Sequence, residues 1–96
     1  MSFIQLVEGH SSKFDELNAL DQEWEKATEG RRTAQRSVLT KDRNDPTRFV
    51  IVVFFDSYES AMENSNLPET AELAGKLQAL VDGPVVFHDL DVIDDR

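Results

Sequence analysis

Cysteine is absent from the chain, which rules out disulfide staples, thiolate nucleophiles and Cys-based zinc or iron–sulfur sites. Basic residues are scarce: ten Lys and Arg face nineteen Asp and Glu, for a formal charge of −9. A protein so acidic lacks the concentrated basic face that phosphate backbones require, so nucleic acid is not an expected partner. Long apolar runs are missing too. The start "MSFIQLVEGH" has no basic lead and too short an apolar stretch for a signal peptide or a membrane span, so a cytoplasmic location without membrane contact is expected. There is no glycine-rich phosphate loop and no nucleophile elbow. The acidic end "DLDVIDD" has no His at ligand spacing and reads as solvated charge, so no metal site is expected.

What the 96 residues do contain is the pattern of one domain, residues 1–96. Residues 2–8 read as a strand, broken by Gly9 and His10, with Ser11 or Ser12 as a cap. Between Lys13 and Glu29 the apolar positions Phe14, Leu17, Leu20, Trp24 and Ala27 recur at steps of three and four, which is one stripe of a helix. Gly30 follows as a helix stop. Residues 33–40 form a weaker strand with Ala34, Arg36, Val38 and Thr40 on one side. Phe49 to Phe55 is an unbroken apolar run, and its Val, Ile and Phe content favours strand. Asp56 and Glu59 have capping-box spacing for a short helix from Ser57 to about Glu63. Pro68 suits the first turn of a further helix carrying Leu73, Leu77, Leu80 and Val81. Residues 84–93 make the last strand. No repeat and no low-complexity tract is present.

The order β–α–β–β–α–β, with its second helix broken, is an α+β ferredoxin-like layout: a four-stranded antiparallel sheet with helices on one face. Right-handed crossovers place the first and third strands in the middle. Strands about 4.8 Å apart give a sheet roughly 19 Å wide, and two helices about 10 Å across cover one face of it. The apolar third strand points large side chains both ways, so whichever face the helices leave open is greasy. An apolar patch of several hundred Å² is at the limit for a monomer, and a two-fold copy of the chain is the commonest cover. A homodimer through the open sheet face is therefore expected.

Charge is unevenly spread. Residues 31–48 hold six basic and two acidic side chains, a segment that reads either as a solvated hairpin or as an attraction for an anionic ligand. His10 and His88 are the only side chains that titrate close to neutrality when unperturbed. His88 shares a strand face with Val86 and Leu90 and is the one candidate catalytic base; a hydrogen-bonded core histidine is the other reading. His10 reads as a loop residue. Trp24 is a core residue or the wall of a ligand pocket between helix and sheet. Asn64 and Asn66, at the helix break, are caps or substrate-orienting groups. Arg36 pairs with an anionic ligand or with a carboxylate across a dimer, and Tyr58 packs or donates to a substrate oxygen.

The element order, the length, the apolar third strand, and the segments "FFDSYESAMEN" and "NSNLPETAELA" resemble the dimeric α+β barrel superfamily, most of all its antibiotic biosynthesis monooxygenase family. The resemblance covers nearly the whole chain. It implies a dimeric α+β barrel with a small apolar pocket in each subunit. The implied activity is cofactor-free oxygenation of a small aromatic or polyketide-like compound. The chain departs from the family at two positions where histidine is common, Asn64 and Glu69. It also lacks the first-strand Asn and second-helix His of the heme-degrading relatives, which argues against heme degradation. A module that binds a small hydrophobic ligand without turnover is the alternative, as is a purely structural dimer.

Overall fold

A computed structural model describes residues 2–96 of the chain. Seven elements follow one another: β1 (Phe3–His10), α1 (Phe14–Ala27), β2 (Arg36–Lys41), β3 (Arg48–Phe55), α2 (Tyr58–Ser65), α3 (Pro68–Leu80) and β4 (Val86–Asp91). The strands form one antiparallel sheet in the order β2-β3-β1-β4. The first and third strands are central, as the crossover rule requires, and the fold is ferredoxin-like with its second crossover split into two helices.

Alternation decides which side chains meet the helices. Phe3 and Val7 of β1 and Phe49 and Phe55 of β3 are buried on the helical face. They meet Leu17 and Leu20 of α1, Ala61 of α2 and Leu77 of α3 in two neighbouring clusters. Each fully buried side chain of this kind contributes about 1.5–3 kcal/mol relative to exposure. Of the stripe expected on α1, Leu17, Leu20 and Trp24 are buried, Phe14 is half-buried and Ala27 is exposed; of the stripe expected on α3, Leu77 is buried and Leu73, Leu80 and Val81 are half-buried.

The strand limits differ from the sequence reading in ways that hydrogen bonding explains. β1 does not break at Gly9: the pairs Gly9 with Phe49 and His10 with Arg48 carry the ladder two residues further. A side chain at position 9 would meet the Phe49 ring at 3.0–3.1 Å, so glycine here makes room for the largest core residue. β2 starts at Arg36 rather than residue 33, because the Thr33 amide is held by the Asn64 side chain instead of the sheet. α2 is capped by Ser57, whose hydroxyl accepts from the Ser60 amide at 3.1 Å, and not by Asp56.

The other sheet face has no helix on it among the described residues. Val38, Val52, Leu6 and His88 stand in one row across all four strands. Ile4, Val50 and Phe54 flank the row, and Val86 and Leu90 remain 43% exposed. No helix is long and apolar enough to cross a membrane.

Candidate functional site

A pocket of about 120 Å³ lies between the helices and the sheet. Its walls are apolar: Val7, Ile51, Val53 and Phe55 from the sheet, Leu73 and Leu77 from α3. An engineered cavity of about 150 Å³ lined by such residues binds benzene, so this space suits a single aromatic ring. A second depression of about 230 Å³ adjoins it, sharing Asp21, Trp24 and Ser37 and reaching Arg32 and Gln35.

Six polar side chains are set into the apolar walls, Ser37 of β2 among them. Trp24 is buried on α1, and its indole N–H donates to Thr70 Oγ1 on α3 at 3.1 Å. Arg32 lies over the outer face of the indole at 5.9 Å, which fixes the ring as a wall. Asn64, only 6% exposed, is delivered by α2. Its Oδ1 accepts from the Thr33 amide at 3.3 Å, so its amide NH₂ is the group left for a ligand. Gln5 comes from β1, where alternation with Phe3 and Val7 turns it inward, and Asp21 comes from α1. Burial, and secondarily the nearby charge of Glu25, pushes the Asp21 carboxyl above its ordinary range.

Of the residues singled out from sequence, Trp24 and Asn64 meet in this pocket and the others do not. His88 is turned away from it. β4 alternates, so Phe87 faces the pocket while His88 stands on the open sheet face. The face that His88 takes, which the sequence leaves open, is thus the one without helices. The imidazole is 45% exposed and its Nε2 lies 4.0 Å from Glu8 Oε1. Arg48 binds Glu8 at 2.7 Å and Asp42 at 3.0 Å, completing a charged row at that end of the sheet. His10 is 3.4 Å from Asp45. Arg36 lies over the Phe54 ring at 5.6 Å. Tyr58 is half exposed and meets Phe3 edge-on at 5.6 Å. Asn66 is an exposed C-cap of α2, its amide bonded to Met62 O. Glu69, where the resemblance places a histidine, pairs with Arg31, and that bond holds its carboxyl below the usual range.

Sequence reasoning passed over Gln5, Asp21, Ser37 and Thr70. The signal for Asp21 was its spacing, four residues after Leu17 and three before Trp24, which puts it on the buried face of α1. Thr70 had no such signal, since only packing of α3 on α1 brings it to the indole. Among the described residues no group of three or more potential metal ligands occurs.

No family model matches the chain, and no curated protein matches it. Solved structures match over nearly their full length. SnoaB from Streptomyces nogalater, described as a cofactor-independent oxygenase and solved as an asparagine-to-alanine variant, superposes with a TM-score of 0.83 at 10% identity, covering 98% of this chain and 95% of that one. A protein of Caulobacter crescentus, provisionally named an antibiotic biosynthesis monooxygenase, gives 0.83 at 9% identity over 97% and 91%. A protein of Mycobacterium tuberculosis gives 0.80 at 14% identity over 99% and 98%. The chain therefore has the fold of the antibiotic biosynthesis monooxygenase-like proteins.

Proposed function

We propose that the chain is a cofactor-independent oxygenase of a small aromatic or polyketide-like compound, working in the cytoplasm as a homodimer joined through the open sheet face. The observation that carries the reading is the ring-sized apolar pocket with Asn64 and Trp24 in its wall, set in a fold shared with a cofactor-independent oxygenase. The apolar walls exclude water from a bound ring. In this reading Asn64, one of the lining residues, donates through its NH₂ to a substrate oxygen as negative charge grows on it. The overall change, a ring C–H and O–H with dioxygen giving a quinone and water, needs no external reductant.

The test is dioxygen uptake with 1-naphthol or anthrone, read with an oxygen electrode beside product analysis. Uptake matched by one equivalent of quinone is expected. Saturable thermal stabilisation by these compounds without uptake would replace the oxygenase with the second reading, a ligand-binding module. That reading is favoured by one observation: no histidine lines the pocket. A base at His88 would serve a site between two subunits, not this pocket. His88→Ala leaves turnover unchanged if the pocket described here does the chemistry.

A further inference from the structure

Asp21 is the one ionisable side chain among the residues that line the apolar pocket. It stands on the middle of α1, one turn before Trp24, and between the pocket and its outer groove. Among the described residues no hydrogen bond is made to its carboxylate or to the Ser37 hydroxyl, whereas Trp24 and Thr70 bond each other, Asn64 bonds the backbone and Gln5 bonds Asp89. The half-buried Asp21 thus stands at the junction of the apolar, ring-sized pocket and two open grooves, with its carboxylate free to accept a proton from a ring hydroxyl.

We propose that Asp21 is the catalytic base of this pocket, taking the proton from the acidic O–H of a bound hydroxyarene. The proposal rests on the oxygenase reading for its redox chemistry and on the pocket geometry for its place. With 1-naphthol, the O–H bond breaks, its electron pair stays on oxygen, and the proton passes to an Asp21 carboxylate oxygen. The naphtholate is oxidised by dioxygen: a C–O bond forms at the carbon para to the hydroxyl, and as the O–O bond breaks the C–H bond at that carbon breaks too, giving its proton to the departing oxygen. The proton on Asp21 leaves in the water released, and 1,4-naphthoquinone remains.

Burial holds the carboxyl above its ordinary range, with Glu25 one turn along the helix adding to it. That moves its basicity toward that of a neutral-pH base. Arg32 after α1, and Arg36 and Lys41 of β2, share the outer grooves with Asp21. The pocket residues of β1, β3, α2, α3 and β4 are uncharged.

The experiment joins anaerobic calorimetric titration of 1-naphthol with dioxygen uptake, from acid to neutral pH beginning below the ordinary carboxylate range, for the wild-type protein, Asp21→Asn and Asp21→Glu. The wild type is expected to show a rate that climbs with pH and then levels. Asp21→Asn should bind 1-naphthol but lose turnover by about 100-fold or more, the usual worth of a general base. Asp21→Glu should recover a pH-dependent fraction of it. Turnover by Asp21→Asn within a few fold of wild type would overturn the proposal and leave the oxygenase standing. Binding without uptake by any variant would remove the oxygenase reading, and Asp21 is then judged on affinity. Wild-type binding that weakens about tenfold on acidification while the Asn variant stays flat would support a proton-accepting Asp21, a charge-assisted bond being worth that much. Identical binding curves, or no binding at all, would overturn it.

Discussion

Asp21 and the loop carboxylates have opposite effects on stability. A carboxyl whose folded pKa is raised favours its protonated form in the fold, so its contribution is complete below the ordinary 3.8 and is lost as pH rises through the folded value. Near pH 7 the ionised Asp21 is therefore a burden, and Asp21→Asn is expected to raise Tm by a few degrees, with the gain shrinking as acid protonates the wild type. Asp42 and Asp45 run the other way. The Asn44 amide lowers the first and the Thr47 hydroxyl lowers the second, with Arg48 and His10 adding to each. Their contribution is present above 3.8 and disappears as pH falls through the depressed folded values. Asp42→Asn should thus be less stable than wild type near pH 7 and equal to it in strong acid. Thermal and urea unfolding followed through Trp24, the single tryptophan, measure all of these. At Gly9 the demand is steric: Gly9→Ala pushes a methyl against the Phe49 ring, and a cost of about 1–3 kcal/mol is expected from overpacking.

At the scale of elements, α2 matters out of proportion to its eight residues, because it carries Asn64 into the pocket. Its start is held by Ser57, whose hydroxyl accepts from the Ser60 amide and donates to the Ser60 hydroxyl. Ser57→Ala should cost about 1 kcal/mol, and hydrogen exchange should show the loss concentrated in α2 and at Thr33, whose amide rests on Asn64. Pro68 then starts α3 at its first turn, where a missing N–H costs nothing. The order of elements and the stripes of α1 and α3 were legible from spacing alone, since periodicity of three and four has only one reading. The cap was not: Asp56 and Ser57 both qualify chemically, and only the backbone path selects the serine. The end of β1 was misjudged for a similar reason. Gly9 looks like a break until Phe49 is seen to occupy the space its side chain would need.

For the molecule as a whole, the uncovered sheet face is the feature with the largest consequence. Val38, Val52 and Leu6 run across its centre, and a second copy laid on it would remove them from water. Val52→Glu would bury a charge without a partner in such an interface. Light scattering during size-exclusion is expected to give a mass near twice 10.9 kDa for wild type and near 10.9 kDa for this variant. A wild-type mass of one chain over a hundredfold dilution would sink the dimer. Each copy carries a formal charge of −9, so apolar burial must overcome mutual repulsion. Added salt should tighten the association by screening it.

The sequence by itself determined the element order, the central position of the apolar strand and the presence of a greasy second face. Those follow from hydrophobic periodicity and from the geometry of crossovers, which are local or topological and need no coordinates. It also pointed to Trp24 and Asn64, which share the pocket. Only the tertiary structure decided which face each strand residue serves. The register that pairs Leu6 with His88 and Val7 with Phe87 sends the histidine to the open side and the phenylalanine inward, because a shift of one residue exchanges the two faces. The packing of α3 on α1 likewise brought Thr70 to Trp24, and the buried flank of α1 brought Asp21 to the pocket. The chemistry of the site thus depends on contacts between residues far apart in the chain, which no spacing within one segment encodes.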